Sequence, residues 1–131
     1  MKKILLSLLL LSISLFAEVT NKRASQELLD SKIPIVDIRT PQEWKETGLL
    51  QGSIPIMLFD EKGQYNLKAF LDELNAAVDT SKPFAIICRT GSRTSVLAPF
   101  LSKKMHYSVV NIKDGIMYAM YKKLPVLPYK K

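Results

Sequence analysis

Short apolar runs alternate along the chain with stretches whose apolar residues recur three or four positions apart, which is the signature of strands alternating with helices. Ser25 to Ser31, carrying Leu28 and Leu29, predicts a short helix. Pro34-Ile35-Val36-Asp37-Ile38 is a β-branched run and predicts a buried strand. Pro41 stands at a first helical position, Glu43 and Trp44 follow it, and Gly48 ends that helix. Ile54 to Leu58 predicts a second strand, interrupted by Pro55, and Asp60 to Gln64 a surface loop. Asn66 caps a helix with Leu67, Phe70, Leu71, Leu74 and Val78 on one face. Phe84 to Cys88 is the clearest buried strand. Ser92 to Lys104 predicts a helix that turns Val96, Leu97, Phe100 and Leu101 to the core and is kinked or loosened by Pro99. Tyr107 to Ile112 predicts a last strand. Gly115 opens a helical stretch ending near Leu124-Pro125, with Met117, Tyr118, Met120 and Tyr121 as its packing face. This order implies an α/β domain with a mostly parallel sheet, in which ligands sit where strands end and helices begin.

The first residues read differently. Lys2 and Lys3 precede an apolar run from Ile4 to Phe16, broken only by Ser7, Ser12 and Ser14, and Ala17 stands before the polar stretch Glu18 to Arg23. A charged start, a short apolar run and a small residue are the pattern of a cleavable secretory signal peptide. The run falls short of the roughly 20 apolar residues that a membrane span needs. The expectation is a signal peptide over residues 1–17 and one domain over 18–131, exported to a bacterial periplasm with no permanent membrane span. An uncleaved amino-terminal anchor is the alternative.

Composition narrows the chemistry. At 131 residues with 47% hydrophobic and 24% charged residues, one globular domain is expected and wholesale disorder is excluded. One Cys and one His exclude a disulfide framework and any metal site built from several of either. No Gly-rich phosphate loop is present. Lys and Arg exceed Asp and Glu by 19 to 12, yet the basic residues are dispersed and no aromatic platform alternates with them, so no nucleic-acid partner is expected. In an oxidising compartment a lone thiol is either inert or kept for chemistry.

That thiol, Cys88, ends a strand, and Cys88-Arg89-Thr90-Gly91-Ser92-Arg93 leads directly into a helix. A tight loop before a helix turns consecutive amides inward into an anion cradle, and the helix terminus adds about half a positive charge. Arg89 and Arg93 add two cations, and Gly91 gives the loop freedom to close. Such a field favours a nucleophilic thiolate and an anionic adduct on its sulfur. A cysteine phosphatase or arsenate reductase needs a wider loop, with about five residues between Cys and Arg to hold a tetrahedral oxyanion. Four stand here, which suits a persulfide better.

The whole pattern resembles a single-domain rhodanese, a sulfurtransferase. The resemblance runs from about Ser25 to Val126 and rests on the six-residue loop Cys88 to Arg93, on Asp37-Ile38-Arg39 followed by Glu43-Trp44, and on Gly48 and Gly52. Leu49, Ser53, Asp114 and Ala119 depart from residues common in that family. The resemblance implies a mostly parallel sheet of about five strands with helices on both faces. It implies catalysis by Cys88, which takes sulfane sulfur from thiosulfate or a similar small anionic donor and holds it as a persulfide. A thiol, cyanide or protein acceptor then takes that sulfur, and no separate cofactor or metal takes part. Arg89, Thr90, Gly91, Ser92 and Arg93 would bind the persulfide, Arg89 receiving the donor and Arg93 fixing the loop or its field. Asp37 and Arg39 would support the loop as an ion pair, Trp44 would pack, and His106 would lie on the surface. A persulfide carrier serving a periplasmic protein partner, with little turnover of small donors, is the other reading.

Overall fold

The computed structural model describes residues 17–130, so the expected signal segment, all but Ala17, lies outside the described residues. In chain order the elements are β1 (Val19–Arg23), α1 (Gln26–Asp30), β2 (Ile35–Asp37), α2 (Pro41–Thr47), β3 (Leu49–Leu50), β4 (Ser53–Pro55), α3 (Leu67–Ala77), β5 (Phe84–Ile87), α4 (Ser92–Met105), β6 (Val109–Lys113), α5 (Gly115–Tyr121) and β7 (Val126–Leu127). Five strands form one sheet in the order β1-β6-β5-β2-β4, every neighbouring pair parallel. This is the rhodanese-like α/β arrangement expected from the sequence.

The side-chain period of two sorts the central strand between two cores. Phe84, Ile86 and Cys88 face one way, against Phe70 and Leu74 of α3 and Leu97 and Leu101 of α4. Ala85 and Ile87 face the other way, with Leu28 of α1 and Ile116 and Ala119 of α5. Residues 84–88 are all fully buried, which is why that strand reads as an unbroken apolar run.

The local signals for the helix starts hold. Pro41 opens α2, and Thr40 and Glu43 form a reciprocal capping box there. Asn66 caps α3 by accepting the Ala69 amide at 3.0 Å. The α4 helix runs on through Pro99 to Met105.

Four expectations are corrected. Val19–Arg23, read as a polar stretch behind the signal, is a parallel edge strand on β6. Its Asn-Lys-Arg end is exposed, as suits an edge. The strand expected over Ile54–Leu58 stops at Pro55, although the amides of Ile56 and Leu58 still reach the carbonyls of Asp37 and Ile38 (3.0 and 3.1 Å). Val96 does not face the core but is 71% exposed, because the buried stripe of α4 is Thr94, Leu97, Ala98, Leu101 and Ser102. The last helix ends at Tyr121, after which Val126–Leu127 pairs antiparallel with Leu49–Leu50. Its packing face is Gly115, Ile116 and Ala119, while Met117, Met120 and Tyr121 are exposed and Tyr118 only partly buried. Small residues bring the α5 backbone close to the sheet and leave the large side chains outside.

Candidate functional site

Cys88 follows the last residue of β5 at the carboxyl edge of the sheet, where a parallel α/β fold places its ligands. The residue is fully buried, while Arg89, Thr90 and Ser92 on the loop above it are exposed. Gly91 caps α4 with a left-handed φ of 98°, and its amide donates to Cys88 Sγ at 3.2 Å. The hydroxyl of Thr94 donates to the Gly91 carbonyl (3.3 Å), and its oxygen lies 3.6 Å from the sulfur.

Two contacts from α5 set the loop's peptide planes. Ile116 N–H donates to the Cys88 carbonyl at 2.9 Å, and Met117 N–H to the Arg89 carbonyl at 3.1 Å. In a trans peptide the C=O and N–H point in opposite directions, and the described chain holds no cis bond. The amides of Arg89 and Thr90 are therefore aimed away from α5. Among the described residues, the amides of Arg89, Thr90, Ser92 and Arg93 have no protein acceptor. Gly91 N–H is thus on the sulfur, and the four other amides of the loop lack a protein acceptor among the described residues.

Gly115 makes this contact possible. A Cβ there would collide with the carbonyl oxygens of Cys88 and Arg89, and its φ of 61° is left-handed. Across the loop, a Cβ on Gly91 would come within 3.0 Å of the Asp114 amide. Asp114 itself is held by Arg23 Nε at 2.7 Å.

The two loop arginines are not equivalent. Arg93 forms a two-pronged ion pair with Glu43, both N···O distances 2.8 Å, with side chains only 23% and 17% exposed. Hydrogen bonding by Arg93 holds the Glu43 carboxyl at about 2, helped by the Thr40 amide, and Glu43 in turn raises the Arg93 guanidinium above its ordinary value. Arg93 is thereby largely neutralised. Arg89 is exposed and forms no ion pair among the described residues, so it is the free cation at the rim. A cavity of about 440 Å³ beside Arg93 is walled by Glu43, Glu46, Asp60 and Glu61. An anion meets repulsion on that side and attraction on the Arg89 side.

Asp37 and Arg39, at the end of the neighbouring strand β2, are both fully buried. Arg39 Nε and Nη2 donate to the Asp37 carboxylate at 2.8–3.1 Å, Nη1 to Thr47 Oγ1 at 2.9 Å, and Nη2 also to the Gly48 carbonyl at 2.9 Å. Trp44 Nε1 donates to Asp37 Oδ1 at 3.1 Å, so Trp44 anchors the pair as well as packing. His106 is exposed and forms the left-handed cap of α4. No group of three or more His, Cys, Asp or Glu among the described residues is arranged to hold a metal.

The site thus gathers Cys88 to Arg93 in one loop and keeps Asp37 and Arg39 in a separate cluster. Sequence reasoning missed Thr94, the Glu43–Arg93 link and the support from Gly115. Thr94 alone carried a local signal, a hydroxyl three residues past Gly91 on the first turn of the helix.

The family model of the rhodanese-like domain matches residues 20–118, and the chain belongs to that family. An uncharacterized protein of Rickettsia prowazekii is 28% identical over 99 residues, spanning 73% of this chain and 79% of that protein. The fold is similar to that of the 30 kDa polysulfide-sulfur transferase homodimer of Wolinella succinogenes, with a TM-score of 0.63, 17% identity, and 98% and 93% of the two chains covered. It is also similar to a rhodanese-related protein of Thermoplasma volcanium, with a TM-score of 0.59, 20% identity, and 87% and 99% covered.

Proposed function

We propose that this protein is a sulfurtransferase that carries sulfane sulfur as a persulfide on Cys88. The observation that supports this most is the Gly91 N–H on Sγ, with the four other amides of the same loop free of protein acceptors among the described residues. Such donors stabilise negative charge on a terminal sulfur without reorganising during the reaction. In the first step the Cys88 thiolate attacks the outer sulfur of thiosulfate or a similar donor. The new S–S bond forms as the old one breaks, and sulfite leaves with the electron pair. In the second step a thiolate or cyanide attacks the outer sulfur, and the pair returns to Cys88 as thiolate. Arg89 draws the anionic donor in, Thr90, Gly91 and Ser92 supply amides, and Arg93 braced by Glu43 fixes the loop. No cofactor enters either step.

Formation of thiocyanate from thiosulfate and cyanide tests the reading. Turnover that disappears in Cys88→Ser supports the enzyme, and turnover that persists in that variant contradicts it. Loading of Cys88 without turnover favours the carrier reading, which the basic surface supports through an acidic protein partner. We further propose export to the periplasm through residues 1–17, supported by the charged, apolar and small-residue pattern of that segment. No helix among the described residues is long and apolar enough to cross a membrane.

A further inference from the structure

We propose that the exposed face of α5 beside the Cys88 loop docks an acidic partner protein, which presents the sulfur-accepting cysteine. This rests on the sulfur-transfer reading and names the acceptor's class. The charge distribution is lopsided. From Cys88 to the end of the chain there are nine Lys or Arg, of which Arg93 is taken by Glu43 and Lys103 and Lys104 lie on α4, and a single acidic residue, Asp114, which Arg23 occupies. Every other acidic residue precedes Cys88. Within that basic third, α5 is tied to the loop through the Met117 amide and turns outward Met120 at 41% and Tyr121 at 79% exposure. Lys122 and Lys123 follow at once, both exposed, and Arg89, without an ion pair among the described residues, lies on the loop itself.

An apolar pair bordered by cations, on the helix whose first turn contacts the Cys88 loop, matches a surface with apolar side chains inside an acidic rim. A small anionic donor needs Arg89 and the loop amides and has no use for Met120 or Tyr121. A second copy of this chain would set basic faces against each other, which like-charge repulsion opposes. An anionic lipid surface satisfies the charge but offers no thiol. The proposed step is balanced. The partner's thiolate attacks the outer sulfur of the Cys88 persulfide, that S–S bond breaks, and its electron pair returns to Cys88.

Two synthetic peptides test the proposal, each with one Cys beside Leu residues, one rich in Glu and one rich in Lys. They are mixed with thiosulfate-loaded protein, and loss of the persulfide is timed. The Glu peptide should react on the order of tenfold faster at low salt, and added salt should erase the difference. Met120→Ser with Tyr121→Ser, or Lys122→Glu with Lys123→Glu, should slow the Glu peptide several-fold and leave transfer to cyanide unchanged. Equal rates for the two peptides, or variants without effect, overturn the proposal. So does binding of the same face to phosphatidylglycerol vesicles, or self-association through it, without peptide preference. If thiosulfate does not load Cys88, the sulfur-transfer reading fails separately. Fluorescence anisotropy with a Cys-free Glu peptide still decides the docking face, tight binding lost in the same variants supporting it and no binding overturning it.

Discussion

Two polar clusters lie at the carboxyl ends of neighbouring strands, one behind β2 and one behind β5, and their hydrogen bonds are completed differently. At the end of β2, Asp37 and Arg39 are sealed from water and matched with each other, Thr47, the Gly48 carbonyl and Trp44. At the end of β5, the loop from Cys88 to Arg93 carries five amides, of which, among the described residues, only Gly91 N–H has a partner, and that partner is the sulfur. A buried group whose partners are all supplied holds a shape, because breaking any bond leaves an unpaired charge. Donors left free in the loop of a thiol can instead receive negative charge brought to them. The difference separates scaffold from candidate site even though both clusters lie at strand ends of one sheet.

The sharpest way to break this contrast is in the scaffold. Arg39→Leu leaves the Asp37 carboxylate buried without its counter-charge and should cost about 3–5 kcal/mol in urea unfolding. A cost near zero would deny that the pair holds the fold. Gly115→Ala comes next. It forces α5 away from the Cys88 and Arg89 carbonyls and should cost about 1–3 kcal/mol. Sulfur loading of Cys88 should slow at temperatures where the variant is still folded, because the loop amides lose their aim. Unchanged loading would detach α5 from the site.

Between the clusters stands Glu43, which caps α2 and braces Arg93. Its pKa falls from 4.5 to about 2 on folding, so its contribution is fully present above about pH 4.5 and is lost as pH falls towards 2. Allowing for solvent screening of a partly exposed pair, Glu43→Gln should cost on the order of 1–2 kcal/mol at pH 7. The gap to the unaltered protein should close as pH falls through that window. A gap independent of pH would mean the ion pair contributes nothing. Least affected is Val96→Thr, which at an exposed position should change stability by less than about 0.5 kcal/mol.

The residues show why some of this was readable in advance and some was not. Phe84 to Cys88 is buried on both faces, so its apolar run announced itself, and the loop after it carried Gly91 and two arginines in sequence. The β1 strand gave no such signal, because an edge strand with Asn21, Lys22 and Arg23 exposed looks like a linker. Val96 misled because hydrophobicity alone was used to pick the inner face, whereas Thr94 and Ser102 are the buried members of that stripe. The Glu43–Arg93 bond joins residues 50 positions apart, and only tertiary packing brings them together. The Gly115 contact was hidden for a related reason, since its value lies in an absent side chain facing two distant carbonyls.

The most direct measurement is the intact mass of the protein after incubation with thiosulfate and removal of excess reagent. A persulfide on Cys88 requires a one-sulfur increase on the unaltered chain, reversed by cyanide and absent in Cys88→Ser. No added sulfur, or an increase that Cys88→Ser retains, would contradict it.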